Sequence, residues 1–216
     1  ANGDGSWRLL NPYGDQVFQQ WLYADVDVIT LSLPGTYMLL LEGRFYNSGA
    51  NEYRFNVQPV VDETSSLVLG NRAEGALALG QTDRYTFTLA EQKHVYFDVQ
   101  SDSRLYWSLS GPGGAVVNNA WFQSVDSWDG NPFLTLGAGD YVLSLHAQSG
   151  ETPTYAFLLL DLASATPITP GTVVNGELNP ANETDIYRFS ANAGDRFFFD
   201  MQSIANGDGS WRLLNP

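Results

Sequence analysis

The sequence predicts an all-β protein in which antiparallel, jelly-roll-like β-sandwich units are arranged in tandem. Three observations lead to this fold class: apolar residues alternate with polar ones, clusters of turn-forming residues separate the alternating runs, and the chain repeats itself internally. Alternation with a period of two puts the apolar side chains on one face of a strand. Short strands of this kind, separated by turn signals, are typical of sandwiches and barrels.

The longest repeat joins the two ends of the sequence. ANGDGSWRLLNP stands at residues 1–12 and again, unchanged, at residues 205–216. The two copies are 204 positions apart (205 minus 1), and an identical stretch of this length that includes tryptophan does not arise by chance. We therefore expect the chain to be one segment of a longer tandem array with this period.

A shorter repeat lies inside the first. TDRYTFTLAEQKHVYFDVQS at 82–101 corresponds to TDIYRFSANAGDRFFFDMQS at 184–203, which lies 102 positions later (184 minus 82). Three more stretches correspond: LYWSLSGPGG at 105–114 with SWRLLNPYG at 6–14, LTLGAGDYVLSL at 134–145 with ITLSLPGTYMLLL at 29–41, and TYAFLLL at 154–160 with EYRFNV at 52–57. The sequence thus predicts three segments: the C-terminal half of one unit at 1–60, a complete unit at 61–162, and the N-terminal half of the next unit at 163–216.

Each alternating run of the complete unit predicts a strand. The runs are carried by Tyr85, Phe87 and Leu89, by Val95, Phe97 and Val99, by Tyr141, Leu143 and Leu145, and by Tyr155, Phe157 and Leu159. The residues that favour turns cluster between the runs: GPGG at 111–114, DGNP at 129–132, GAGD at 137–140 and SGETP at 149–153. The prolines of LASATPITPG, which follows the unit, predict a short and extended linker.

The composition excludes several classes of function. Asp and Glu number 24 against 10 Lys and Arg, which gives a formal net charge of −14. A surface this acidic repels nucleic-acid backbones, so we expect no nucleic-acid partner. Cysteine is absent, which removes disulfides, thiolate catalysis and zinc-thiolate sites. No apolar run approaches the roughly 20 residues that a membrane helix needs, so we expect no membrane insertion.

The two histidines give no sign of a catalytic site. His94 and His146 are 52 positions apart (146 minus 94), and no serine stands in a nucleophile-elbow motif. We therefore expect a chain that is not an enzyme. A Ser/His/Asp site assembled by folding is the alternative.

Acidic loops are the candidates for cation binding. The NGDG sequences at 2–5 and 206–209 favour hairpin turns, because the bidentate Glu that closes an EF-hand loop is missing. SVDSWDGN at 124–131 brings Asp126, Asp129 and Asn131 close together, and their oxygens form a candidate calcium site. The alternative is that these side chains bond their own backbone in a turn.

Aromatic residues predict both core positions and a ligand site. Tryptophans recur at equivalent positions of the repeat, Trp7 with Trp107 and Trp211, and Trp21 with Trp121. Recurrence at a framework position favours core packing. Trp128 has no counterpart and stands among Asp and Asn, and an aromatic face beside such groups suits the stacking of sugar rings. Trp128 with Trp121 or Phe122 is therefore a candidate platform for carbohydrate.

These residues resemble the bacterial pre-peptidase C-terminal domain family. Its pattern is an Asp-x-Tyr-x-Phe strand, an Ala-Gly before the next strand, a Leu-x-x-Pro-x-Gly turn, an Ala-Gly-x-Tyr strand and a final Gly…Tyr-x-Phe strand. The complete unit matches it through Asp83, Tyr85, Phe87, Leu109, Pro112, Gly114, Ala138, Gly139, Tyr141, Gly150, Tyr155 and Phe157. The split unit matches it through Asp185, Tyr187, Phe189, Ala193, Gly194, Leu213, Pro216, Gly35, Tyr37, Gly49, Tyr53 and Phe55. Two positions depart from the pattern: Pro34 replaces the alanine of the Ala-Gly-x-Tyr strand, and Ala90-Glu91-Gln92 stands where the first Ala-Gly is expected.

The resemblance implies a compact β-sandwich that is secreted or displayed, is appended to enzymes or adhesins, and is not itself catalytic. Some relatives bind calcium or polymeric ligands. The matched residues are framework positions, so the resemblance assigns no ligand site to this chain.

Together these observations predict a structural extender, or repeat segment, of a large extracellular or cell-surface protein such as an adhesin stalk or fibre. The partners expected are neighbouring copies of the same repeat, whose split halves complete one another head to tail. The alternative is a β-sandwich module that binds carbohydrate, such as an extracellular polysaccharide, or protein.

Residues 61–162 are expected to fold alone, because a segment of about 100 residues with complete alternation and turns can bury a core of its own. The fragment should give a dispersed amide NMR spectrum and a cooperative thermal transition. A collapsed spectrum typical of a disordered chain would place the boundary of the repeat elsewhere.

Overall fold

The computed structural model describes residues 5–124, 132–205 and 209–215. The chain divides into two compact units, residues 1–60 and residues 61–216, and each is described by itself. The described residues form strands, turns and two single-turn 3₁₀ helices, without an α-helix. None of these helices is long and apolar enough to cross a membrane. The predicted all-β fold class is confirmed.

The first unit contains a three-stranded antiparallel sheet with the order β2-β1-β3. Its strands are β1 (Ser6–Leu10), β2 (Gln16–Trp21) and β3 (Met38–Glu42). Asn11 shapes the turn between β1 and β2, because its Oδ1 accepts hydrogen bonds from the backbone N–H groups of Tyr13 and Asp15, each at 2.9 Å.

The second unit begins with a complete sandwich. Its strands are β4 (Glu63–Ser66), β5 (Ala73–Ala76), β6 (Thr82–Leu89), β7 (Lys93–Val99), β8 (Leu105–Gly111), β9 (Gly114–Trp121), β10 (Phe133–Leu136), β11 (Gly139–Ala147) and β12 (Thr154–Asp161). One sheet has the order β4-β6-β11-β8-β9 and the other the order β10-β7-β12-β5. The four strands predicted from alternating runs are β6, β7, β11 and β12, and all four are confirmed.

One ladder of the sandwich departs from the predicted antiparallel arrangement. β4 pairs with β6 in parallel, because β5 takes the chain across to the other sheet between them. The same parallel pairing recurs after the sandwich, where a 3₁₀ turn (Leu162–Ser164) leads to β13 (Thr166–Pro167), which pairs with β14 (Tyr187–Arg188). Thr166 lies opposite Tyr187 as Ser65 lies opposite Tyr85.

Aromatic side chains fill the space between the two sheets. Phe97 of β7 stacks on Trp107 of β8, with ring centroids 4.1 Å apart. Phe122 and Phe157 pack against the Phe97 ring, with ring centroids 5.8 and 5.2 Å from its centroid. All four side chains are buried, and each contributes roughly 2–3 kcal/mol by leaving water. The predicted core position is confirmed for Trp107 and is wrong for Trp21 and Trp211, which are 43 and 59% exposed, whereas Trp7 and Trp121 are half-buried.

A glycine and a proline in close contact shape the start of β11. Gly139 has a φ of +140°, and a Cβ at this position would lie 2.1 Å from Cγ of Pro112, so glycine alone fits. In the first unit, Gly35 has a φ of +136° and its Cβ would lie 2.7 Å from Cγ of Pro12. The same corner is thus built twice, at positions that the sequence repeat aligns.

The strand register is repeated as well. In the first unit Ser6 lies opposite Trp21 and Trp7 opposite Leu41, and in the sandwich Tyr106 lies opposite Trp121 and Trp107 opposite Leu145. The sheet β2-β1-β3 is therefore a second copy of β9-β8-β11.

Candidate functional sites

Most of the predicted ligand residues lie outside the described part of the chain. Asp126, Trp128, Asp129 and Asn131 all fall within residues 125–131, so the calcium site and the Trp128 platform stay predictions. The same holds for most of the two NGDG turns. Among the residues that the structure does describe, no group of three His, Cys, Asp or Glu side chains could hold a metal ion.

Trp121 and Phe122 are the other two residues of the predicted carbohydrate platform, and they differ in how much of each side chain is exposed. Trp121 ends β9, is half-buried and packs edge-on against Tyr106, with ring centroids 4.9 Å apart. Phe122 follows in a 3₁₀ turn (Phe122–Ser124) and has no exposed surface. A fully buried ring cannot stack on a sugar, so Phe122 is a core residue and not part of an exposed platform.

The two histidines stand on different sheets. His94 in β7 stacks on Phe133, and its Nδ1 lies 3.0 Å from Oγ1 of Thr135. His146 in β11 stacks on Tyr106. Each imidazole packs against an aromatic neighbour of its own sheet, so the fold does not bring the two rings into one site.

A buried hydrogen-bond network ties the two sheets together at one end of the sandwich. Tyr155 Oη donates to Asp83 Oδ2 at 2.5 Å and lies 2.8 Å from the hydroxyl of Tyr85. Gln81 Nε2 donates to the other carboxylate oxygen of Asp83 at 2.8 Å. All four side chains are buried. Because the aspartate is in β6 and Tyr155 is in β12, the strong charge-assisted bond between them crosses from one sheet to the other.

The network keeps both tyrosines protonated. Burial, together with the hydrogen bonds to Asp83 and Tyr85, raises the pKa of Tyr155 far above its ordinary value. Burial also raises the pKa of the Tyr85 hydroxyl. A neutral phenol is the donor that a buried carboxylate needs, so the three groups stabilise one another.

Tyr155 occupies a space that a glycine leaves open. A Cβ on Gly75 in β5 would lie 2.5 Å from Tyr155 Oη. Gly176 stands at the equivalent position of the next unit, where a Cβ would lie 2.9 Å from Tyr187 Oη. Tyr187 donates to Asp185 Oδ2 at 3.2 Å. The glycine, the aspartate and one tyrosine of the network are thus repeated in residues 163–216, the C-terminal segment, where Tyr187 takes the place that Tyr155 takes in the sandwich.

The C-terminal segment exposes apolar residues whose counterparts form the core of the sandwich. Phe197, Phe199 and Met201 are 41, 48 and 56% exposed, whereas Val95, Phe97 and Val99, which stand 102 positions earlier (197 minus 95), are 0, 0 and 5% exposed. The apolar face that β7 buries in the sandwich is therefore uncovered in this segment.

The first unit exposes the complementary residues. Tyr53, Phe55 and Val57 are 68, 46 and 71% exposed, whereas Tyr155, Phe157 and Leu159 of β12, 102 positions later (155 minus 53), are 3, 0 and 0% exposed. Both segments thus expose apolar residues whose sequence counterparts are buried together in the sandwich.

Asp83, Tyr85 and Tyr155 were identified from the sequence as motif residues, but Gln81 and the contact between the four side chains were not. The motifs assign Asp83, Tyr85 and Tyr155 to strand frameworks, without a prediction that their polar atoms meet. A signal for the network was present in the sequence. Asp83 stands two residues before Tyr85, on the apolar face of an alternating run, and a carboxylate on that face must be buried and must find donors.

Comparison with known proteins supplies structural neighbours. No protein-family model matches the chain, and no curated protein matches its sequence. The chain is similar to the pre-peptidase C-terminal domain of a collagenase from Bacillus anthracis, with 21% identity and a TM-score of 0.35, over 48% of this chain and 99% of that one. A pre-peptidase C-terminal domain is thus among the structures that the chain resembles, as its motifs predict.

Two periplasmic inhibitors of g-type lysozyme are also similar to the chain. The inhibitor from Salmonella Typhimurium is 18% identical with a TM-score of 0.37, over 46% of this chain and 98% of the inhibitor. The inhibitor from Aeromonas hydrophila is 17% identical with a TM-score of 0.33, over 47% of this chain and 99% of the inhibitor.

Tyr155→Phe should destabilise the sandwich by about 1–3 kcal/mol at neutral pH, because Asp83 loses a buried donor. The midpoint of urea unfolding, followed by tryptophan fluorescence, measures the effect. Tyr13→Phe, at a tyrosine that is 80% exposed, is the matched control and should leave the midpoint unchanged.

The effect of Tyr155→Phe should also depend on pH. The pKa of Tyr155 is raised on folding, from about 10 in an unfolded chain. Its contribution is therefore complete below about pH 10 and is lost as the pH rises above that value, because the unfolded state then releases the proton more readily. The difference between wild type and variant should shrink above pH 10; an unchanged difference would show that the hydroxyl is not held protonated.

Proposed function

We propose that the chain is a structural extender segment of a large extracellular or cell-surface protein, such as an adhesin stalk or fibre. Its β-sandwich units add length to the protein and carry no catalytic group. The observation that supports this proposal is the placement of the first and last strands of the complete unit, which begin and end at opposite ends of the sandwich.

The register fixes these two ends. Glu63, the first residue of β4, lies opposite Asp83, and Tyr155 of β12 donates to the same aspartate. From there β12 continues to Asp161, six residues further on (161 minus 155), which corresponds to about 20 Å along a strand. The chain therefore enters the sandwich at one end and leaves it at the other, which supports the proposal that units are joined in series along one direction.

The linker that leaves the sandwich is held in place. Asp161 Oδ2 accepts a hydrogen bond from Lys93 Nζ at 2.8 Å, and its Oδ1 accepts one from the backbone N–H of Ala163 at 3.0 Å. Arg188 Nε donates to the carbonyl oxygen of Ala165 at 3.0 Å. β13 thus starts within a few residues of β12, in a connection fixed by side chains on both flanks. Such a linker favours a stiff row of units.

Solution scattering tests the extender function. In chains that contain residues 1–204 once, twice and three times, the maximum dimension should grow by a constant step. Two units of about 30 Å each, the length of a nine-residue strand, give a step of roughly 60 Å. A compact arrangement would instead show a radius of gyration that grows only about 1.5-fold from one to three copies, and that result would contradict the extender function.

One observation favours the alternative, a carbohydrate-binding module. Trp21 and Tyr23 are 43 and 71% exposed, and their rings are stacked with an interplanar angle of 6°. The guanidinium of Arg44 lies 4.7 Å from the Trp21 ring centroid. Exposed aromatic faces beside a hydrogen-bond donor are the chemistry that pyranose rings stack on.

Affinity electrophoresis in gels with neutral soluble polysaccharides tests this alternative. If the chain binds sugar here, the polysaccharide should retard the wild type, and Trp21→Ala should abolish the retardation. Phe45→Ala, at an aromatic residue that is 98% exposed, is the control and should behave like the wild type. Equal mobility of all three proteins with and without polysaccharide would remove the alternative at this surface.

A further inference from the structure

We infer that the C-terminal segment of one copy and residues 5–60 of a second copy form a complete β-sandwich between them, in which Tyr53 of the second copy closes the buried network on Asp185 and Tyr187 of the first. This inference rests on the proposed extender function and specifies how the segments join. The complete unit supplies the geometry, because each strand of the joint sandwich has a counterpart there.

The five-stranded sheet is present in two pieces. The complete sheet has the order β4-β6-β11-β8-β9, and its counterparts are the two-stranded piece β13-β14 and the three-stranded piece β3-β1-β2. Placed side by side, the two pieces contain all five strands in the right order. The one ladder still to be formed joins β14 to β3, with Tyr187 opposite Leu39 as Tyr85 lies opposite Leu143.

The four-stranded sheet cannot form within either half. Its order is β10-β7-β12-β5, in which β5 and β7 come from the first half of a unit and β10 and β12 from the second. The two halves therefore alternate, and every ladder of this sheet joins one half to the other. In agreement, the described counterparts of these strands, residues 29–32, 52–59, 174–177 and 195–201, are not strands.

The exposed apolar residues match across the joint. In the complete unit Phe157 lies opposite Val99 and Leu159 opposite Phe97. The same register would place Phe55 opposite Met201 and Val57 opposite Phe199, and all four of these side chains are exposed at present. Pairing would cover both apolar faces at once.

The polar network is also split between the two segments. Asp185, Tyr187 and Gly176 correspond in sequence to Asp83, Tyr85 and Gly75, but the Tyr187 hydroxyl takes the place beside the aspartate and the glycine that Tyr155 takes in the sandwich. The counterpart of Tyr155 is Tyr53, which belongs to the first unit and is 68% exposed. A docked Tyr53 would replace Tyr187 as the donor to Asp185, and Tyr187 would then contact Tyr53 as Tyr85 contacts Tyr155.

The placement of the chain ends favours a second copy over closure within one chain. Glu63 and Asp161 are at opposite ends of the complete sandwich, so the connections to the segments before and after it start at opposite ends. Closure within one chain would require the joint sandwich to lie antiparallel beside the complete one, with connections of only a few residues at both ends.

The second copy also competes well for the β1 position. Residues 205–216 have the same sequence as residues 1–12, but the described part, 205 and 209–215, is not a strand, whereas β1 is already paired with β2 and β3. A preorganised sheet loses less conformational entropy on docking, so it displaces the single segment.

Disulfide trapping tests the inference in a chain that has no cysteine of its own. Leu160 lies opposite Tyr96 on the outer face of the complete unit, and their counterparts are Gln58 and Phe198. Gln58→Cys and Phe198→Cys would be placed in two separate full-length chains, mixed, and oxidised. Directly opposed strand residues are about 5 Å apart, within the range of a disulfide.

The control pairs Gln58→Cys with Arg196→Cys, a position two residues out of register on the same face, at about 8 Å and beyond disulfide reach. We expect at least about tenfold more disulfide-linked heterodimer from the in-register pair, and a ladder of oligomers from a chain that carries both in-register substitutions. A disulfide formed within monomers of that doubly substituted chain would overturn the inference in favour of closure within one chain. Equal yields from the two pairs, or no crosslink, would overturn it as well.

The extender function is tested separately, by the solution scattering of the concatenated chains. A linear increase of maximum dimension in the concatenated chains, together with failed crosslinking, would keep the extender and remove the joint between copies. Successful in-register crosslinking, together with a compact growth of the radius of gyration, would support the joint between copies and contradict the extended arrangement.

Discussion

The rest of the structure depends on one constraint in the four-stranded sheet. Strands from the first and the second half of the unit alternate in it. In the order β10-β7-β12-β5, no two neighbours come from the same half. The core cannot close until both halves are present, because the apolar face of this sheet covers Trp107 and its neighbours. Residues 61–162 form a closed sandwich for this reason, whereas the segments before and after them contain only a three-stranded and a two-stranded sheet within their described residues.

The buried network reinforces the same division. Asp83 and Tyr85 belong to the first half and Tyr155 to the second, so its strongest hydrogen bonds cross between halves and between sheets. A buried carboxylate without a donor is unfavourable by several kcal/mol, and the network therefore favours the correct pairing of halves over arrangements that merely bury apolar surface. Packing and polar chemistry both act at the joint between the halves.

Much of this fold could be predicted from local patterns. The alternating runs identified β6, β7, β11 and β12, because a period of two is a property of each segment by itself. The parallel β4–β6 pair was not predicted, since strand pairing depends on partners that are distant in the sequence. Phe122 was misassigned for a similar reason: its neighbour Trp121 is half-buried, but the 3₁₀ turn directs Phe122 onto Phe97, and nothing in the sequence marks that reversal. The acid cluster at 126–131 stays a prediction from composition.

The position of β12 determines when a unit can close during synthesis. β12 lies between β7 and β5, and it is the last strand of its unit to leave the ribosome or a secretion channel. Before Thr154–Asp161 emerge, β5 has no neighbour in the sheet and Phe97 has not yet met Phe157. Domains that fold as units during translation do so from the N-terminus. A sandwich of this topology would therefore stay open until its last strand has emerged and has paired between β7 and β5.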